Sequence, residues 1–293
     1  MTPEFHLFLP QLRLSAADLV TRAQAAEAAG FTGIALMDHL TPPRAEDQPM
    51  AEAMVAATWI AAHTERLVVG HLVLCAAWRH PALLARQAAT LDLASGGRFE
   101  LGLGSGSTPD ELDAFGVTGG SGRDRVERLD ETLRIVTGLW TGEPVEFVGR
   151  FYRVHGGRQL PVPSRRIPIV VGGTGPATMQ VVAEHATWWN VPVHQTDRWA
   201  ERRAAAGPAR VSLQQVVTFV AAGADRPATM EMARRRFGWV TPAGWAVGDG
   251  PALIDRFSAS AADGVERFYL WFTDFAPTAT LAAFGSEVIA AWP

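Results

Sequence analysis

Short apolar runs alternate along the chain with longer stretches in which apolar residues return every three or four positions. The first run, residues 4–10 (EFHLFLP), predicts a strand, and residues 14–29 predict a helix stopped by Gly30. Further strands are predicted at 33–37, 67–74, 99–103, 167–171, 187–191, 211–222 and 267–272. Helices are predicted at 52–64, 81–94, 123–140, 176–185, 249–262 and 278–292. The 81–94 helix has Pro81 in its first turn and Gly96 just past its end, the usual asymmetry of helix ends. In the 123–140 helix, Val126, Leu129, Leu133, Val136 and Trp140 recur at spacings of three and four. Two stretches break the rhythm. Residues 142–163 hold two strand-like runs about Gly149 and predict an inserted surface hairpin; residues 223–248, rich in Gly, Pro and Arg, predict a partly mobile excursion. Strands alternating with helices in this way predict an α/β fold, a single (β/α)8 TIM barrel with insertions spanning 1–293. An open doubly wound sheet would carry its phosphate loop after the first strand, where Leu9-Pro10-Gln11 has no glycine.

Composition narrows the chemistry. A hydrophobic fraction of 48% against 19% charged residues supports a large buried core and argues against disorder. With a net charge of −4 and no basic block beyond Arg234-Arg235-Arg236, nothing points to nucleic acid. A single cysteine, Cys75, cannot form an internal disulfide and fits a reducing cytoplasm. Neither a signal peptide nor a membrane-spanning run is expected, so a cytoplasmic location is. All 26 Lys and Arg residues are arginine. The absence of lysine rules out a Schiff-base amine, a pyridoxal-phosphate anchor and a P-loop lysine.

In a parallel barrel, the chemistry gathers where the strands end. Those ends carry Asp38-His39, Cys75 to Trp78, Gly104-Ser105-Gly106-Ser107, Gly172-Gly173-Thr174-Gly175-Pro176, Asn190 and Thr273-Asp274. Glycines at 172, 173 and 175 let main chain approach a ligand, and Pro176 then opens a helix whose free N–H groups favour a phosphate. Gly104, Ser105 and Gly106 suit close approach to a flat ring. Asp38-His39 is the acid–imidazole pair at a strand end, suited to moving a proton, with a structural histidine as the equal alternative. His6, His71, His80 and His194 share no metal-binding spacing, so no metal is expected. Cys75 reads as a buried inert thiol, and Trp78 as the indole to face an aromatic ring.

These motifs together make the chain resemble the bacterial luciferase-like flavin monooxygenase superfamily, which includes deazaflavin-dependent oxidoreductases. The resemblance rests on Gly30-Phe31 leading to Asp38-His39, on residues 79–106 (RHPALLARQAATLDLASGGRFELGLGSG) and on residues 131–152 (ETLRIVTGLWTGEPVEFVGRFY). Residues 167–190 (IPIVVGGTGPATMQVVAEHATWWN) and 264–274 (GVERFYLWFTD) complete it. It implies a barrel that binds coenzyme F420 or FMN, a small-molecule substrate and, often, a homodimer. It implies a ring supported by a bulged third strand, with a non-proline cis peptide at Leu72-Val73, and a phosphate on Gly172 to Gly175. His39 matches the histidine beside the reacting face. The implied activity is F420-dependent hydride transfer; the alternatives are an FMN monooxygenase using O2 and a non-catalytic flavin-binding protein. Arg158, Arg165 and Arg166 are candidates to meet the carboxylates of a deazaflavin tail, the alternative being that they only solvate the insertion. The chain departs from the family pattern in three places. Ser107 replaces a glutamate that acts as an acid in deazaflavin dehydrogenases. Leu40-Thr41-Pro42-Pro43 replaces a segment with a tryptophan. Trp188 replaces a glycine in strand six and is expected to tighten its surroundings.

Overall fold

The computed structural model describes residues 2–192, 194, 195 and 197–293. Its first half runs β1 (Glu4–Phe8), α1 (Ala16–Ala28), β2 (Gly33–Leu36), α2 (Ala53–Ala62), β3 (Val68–His71), β4 (Leu74–Cys75), α3 (Pro81–Ala94), β5 (Leu101–Gly104), α4 (Pro109–Ala114) and α5 (Gly122–Leu139). The second runs β6 (Val145–Val148), β7 (Arg153–Gly157), β8 (Ile169–Gly172), α6 (Pro176–His185), β9 (Trp188–Val191), α7 (Trp199–Ala205), β10 (Arg210–Phe219), α8 (Arg226–Phe237), β11 (Trp245–Gly248), α9 (Gly250–Ala262), β12 (Arg267–Phe272) and α10 (Thr278–Phe284).

Local chemistry sets these boundaries. Ser15 and Asp18 form a capping box that starts α1, and Ser121 and Asp124 form another that starts α5, each satisfying helix N–H groups that have no partner within the helix. Pro81 opens α3 as expected.

The main sheet runs β3-β2-β1-β12-β10-β9-β8-β5-β4, every pairing parallel. β3 and β4 are the two halves of one strand, broken at a cis Leu72–Val73 bond, where the resemblance put it. A bridge from Val69 to Phe99 ties the lower half to the β5 chain, and β4 pairs with β5 above. The nine names therefore make an eight-place ring, the predicted barrel. β6 and β7 form an antiparallel sheet outside it. Its turn is held by the buried carboxylate of Glu131, which accepts from the N–H groups of Arg150, Phe151 and Tyr152 at 2.6, 3.0 and 3.1 Å.

Residues 223–248 correct the sequence reading. They are not bare excursion: they contain α8 and β11, and β11 pairs in parallel with β10 beside the ring. The Arg- and Gly-rich composition hid a helix whose buried residues are Ala233 and Phe237.

Inside the barrel, side chains alternate strand by strand. The floor is charged. Arg267, 3% exposed, donates to Glu4 at 2.7 Å and to Glu100 at 2.6 and 3.1 Å. Trp188 fills the floor between two guanidinium groups, with Arg267 3.8 Å and Arg210 3.9 Å from its ring centroid. That is how the larger residue tightens strand six. Burial alone would raise the Glu4 carboxyl, but bonding to His6 and the Arg267 charge bring it down to about 2.

Candidate active site

The upper rim opens into a cavity of about 390 Å³, within the usual range for small-ligand sites. Asp38, His39, Leu72, Val73, Cys75, Gly104, Ser105, Gly106, Gly172, Gly173 and Asn190 all line it. Thr174 and Gly175 lie just outside: Thr174 bonds through its hydroxyl to Gln195, itself a lining residue, and Gly175 is the N-cap of α6. Gly175 has no side chain to cap the helix and Pro176 has no N–H, so the next amides of α6 are left to face a ligand. Gly173 has φ +122°, a conformation side chains resist. A Cβ on Gly104 would stand 2.6 Å from Val73 Cγ2, so glycine is what keeps the rim level beside the broken strand. This open rim of main chain and amides fits a flat ring carrying a phosphorylated tail.

The surroundings of Asp38 and His39 differ from the sequence reading. Asp38 does not orient His39. Its carboxylate accepts from Cys75 N at 2.8 Å and from both terminal nitrogens of Arg79 at 2.6 and 3.0 Å. Arg79 also bonds Glu52. Burial would weaken the hold of Arg79 on its proton, but bonding to Asp38 and Glu52 raises it above the ordinary arginine range. Asp38 is thus a bolt between the ends of β2 and β4.

The partner of His39 is Glu111, whose Oε2 lies 2.8 Å from Nδ1. Its other oxygen accepts from Leu40 N at 2.6 Å and Thr41 N at 2.9 Å. A carboxylate only accepts, so Nδ1 carries the proton, and in the neutral ring Nε2 is then the nitrogen free to accept one. Glu111 sits on α4, right after the glycine loop, with its side chain 7% exposed. Sequence reasoning stopped at Ser107, which lines the cavity but offers only a hydroxyl. A Pro109 start followed by two acids was the available signal of a short helix there.

The other expectations fall as follows. Trp78 lines the cavity and meets Phe115 edge-on at 5.9 Å. Burial pushes the Cys75 thiol up, away from the reactive thiolate. Asn190 accepts from Ser212 at 3.3 Å beneath the rim. His6, His71 and His80 are spent elsewhere: His6 faces Glu4 and Tyr269, His71 bonds Ala53 O, and His80 caps α3. The three arginines expected to meet a deazaflavin tail are misplaced. Arg165 pairs with Asp92 and, with Arg166, lines a groove beside Ile167 and Ile169, where β8 begins; Arg158 bonds Gly142 O. The arginines beside the Gly172 to Gly175 turn are Arg198 and Arg202, which share a groove of about 270 Å³ with Thr174 and Pro176.

A family model described as luciferase-like monooxygenase matches residues 4–270. The chain belongs to this family. Its members are oxidoreductases and monooxygenases that use a flavin or coenzyme F420. An uncharacterized protein of Mycobacterium tuberculosis is 34% identical over 182 residues, covering 57% of this chain and 62% of that one. An F420-dependent glucose-6-phosphate dehydrogenase of Kineococcus radiotolerans is 37% identical over 152 residues, 52% of this chain and 45% of its own length. The chain thus spans about half to three-fifths of the curated relatives it matches. Among solved structures, an F420-dependent secondary alcohol dehydrogenase bound to an F420-acetone adduct superposes with TM-score 0.83 at 17% identity, over 99% of both chains. The monooxygenase RslO1 of Streptomyces bottropensis reaches 0.79 at 18%, over 99% of this chain and 100% of that one. At such identities the superpositions establish the barrel alone. Among the described residues, no helix is long and apolar enough to cross a membrane.

Proposed function

We propose that the chain is a luciferase-like oxidoreductase that uses coenzyme F420 to move hydride to or from a small organic substrate. The observation that carries this reading is the His39–Glu111 pair, opening onto a glycine-floored cavity whose far wall ends in the phosphate turn. The residues that would hold the cofactor are Leu72 and Val73 under the ring, Gly104 to Gly106 along its edge, and Gly172 to Gly175 with the α6 amides at the phosphate. Arg198 and Arg202 would meet the carboxylates of the tail, and they favour the deazaflavin over FMN. When bound, the deazaflavin supplies or receives hydride at a ring carbon. Glu111 fixes the imidazole, and Nε2 of His39 takes the proton from a substrate hydroxyl, or returns it in the reverse direction.

A second reading, an FMN monooxygenase, uses the same phosphate turn. It is favoured by the distance of Arg158, Arg165 and Arg166 from the rim and by the pairing of Arg198 with Glu201 and of Arg202 with Asp197. A homodimer in the cytoplasm belongs to the same proposal. Exposed Val55 and Trp59 on α2 and Leu83 on α3 support the dimer. The test of the proton role is His39→Ala, which should keep cofactor affinity and lose about a hundredfold or more in turnover. Unchanged turnover would remove His39 from the mechanism.

A further inference from the structure

We propose that the sector of the cavity between β12 and β2 is a subsite for an uncharged, apolar ring compound, seated on Trp271 and Phe8 beside His39. This names the substrate class for the function proposed above and rests on that reading.

The ring of strands supplies the first argument. Going round from β8, the order is β9, β10, β12, β1, so Phe8 at the end of β1 stands four places of eight from the phosphate turn, diametrically across the rim. A cofactor anchored at β8 and lying over Val73 and Gly104 leaves the arc of β12, β1 and β2 for the substrate. His39 lies at the edge of that arc.

The lining of the arc supplies the second. Phe8, Met37 and Trp271 line this arc, and they pack in one apolar cluster with Tyr269 and with Leu72 of the neighbouring strand. Trp271 is held from several sides. Phe8 meets it edge-on at 5.4 Å, Phe237 at 5.0 Å and Trp239 at 6.0 Å. Phe237 and Trp239 come from the α8 region, so residues 223–248 form the back of this wall. A held indole face favours offset or edge contact with another ring.

Charge supplies the third. Among the described residues, none lining the cavity is an arginine, and the chain has no lysine. Both lining carboxylates are committed, Asp38 to Arg79 and Glu111 to His39 and two amides. A phosphate or carboxylate entering this arc would shed water without meeting an arginine or lysine. A neutral ring loses little by the same transfer.

The test compares 2-acetylnaphthalene with its carboxylated counterpart, 6-acetyl-2-naphthoate, and with glucose 6-phosphate. Each is titrated by calorimetry into wild-type protein already saturated with whichever of F420 and FMN it binds. The expected result is that the neutral ketone binds, and that both anions bind at least tenfold more weakly. Trp271→Ala should weaken the neutral ketone at least tenfold and leave cofactor affinity as it was; Phe8→Leu is the milder variant should Trp271→Ala not fold. Equal or tighter binding of an anion, no binding of the neutral ketone, or an unchanged ketone affinity in a folded variant overturns the subsite. If neither cofactor binds, the functional reading falls separately, and the same ligands titrated into the apoprotein still decide the subsite.

Discussion

Replacing Glu111 with glutamine removes one negative charge and keeps the shape, and its effects can be worked from three hydrogen bonds. Oε1 accepts from Leu40 N and Thr41 N at 2.6 and 2.9 Å, and the side chain is 7% exposed, so solvent does little to screen it. A hydrogen bond to a charged group contributes about 1 kcal/mol more than one to a neutral group, so those two bonds together lose about 2 kcal/mol. The third bond changes kind. A glutamine amide turned toward the imidazole donates to Nδ1, and the ring proton must then move to Nε2. The expected outcome is a drop of about 2 kcal/mol in unfolding free energy by urea titration, with cofactor affinity unchanged. Turnover should fall about a hundredfold, because the nitrogen facing the cavity no longer accepts a proton. Long-range ¹H–¹⁵N correlation of the His39 ring reads the tautomer directly. A proton on Nε2 of neutral His39 in the wild type, or wild-type turnover in Glu111→Gln, would refute the reasoning.

Two further predictions follow from the same frame. Asp38→Ala leaves the Arg79 guanidinium and Cys75 N–H without their main partner and should cost about 3 kcal/mol in urea unfolding, whereas Asp38→Asn should reduce turnover less than Glu111→Gln does; the reverse ranking would make Asp38 the partner in proton transfer. His71 is buried and, despite its bond to Ala53 O, burial pushes its pKa down from 6.5 to about 4. It is neutral in the fold and takes a proton on unfolding below pH 6.5, so its stabilising contribution is complete above pH 6.5, is lost progressively as pH falls, and is gone below about pH 4. The loss is about 3 kcal/mol over that window, and His71→Gln should flatten that part of the stability-versus-pH curve. An unchanged slope would place the pH dependence elsewhere.

Much of the barrel was legible because several helix ends carry a residue type with one strong local meaning. Gly30 stops α1, Pro81 and Pro176 open helices, and the runs at 33–37 and 167–171 are apolar throughout because both faces are covered. The cavity glycines were legible for the same reason: main chain approaching a ligand needs them. What sequence could not show was pairing across distance. His39 and Glu111 are 72 positions apart, and α4, with six residues, is too short to display a period. Asp38 stood next to His39 in sequence and so drew the role, but its carboxylate is taken by Arg79 and Cys75 N, partners 41 and 37 positions away. Arg165 and Arg166 looked close to the phosphate turn because they precede the same strand; a strand carries its two ends to opposite faces of the barrel.

The central claim is that the rim binds a phosphorylated tricycle through main-chain amides, with Arg198 and Arg202 turning from Glu201 and Asp197 to an acidic tail. Titration of cofactor-free protein with F420, followed by quenching of the coenzyme's fluorescence and repeated with FMN as competitor, tests it most directly. Saturable one-to-one binding of F420, at least tenfold tighter than FMN and weakened by Arg198→Ala and Arg202→Ala, is the predicted result. Tight FMN binding with no F420 binding would contradict the choice of cofactor, and binding of neither would contradict the site itself.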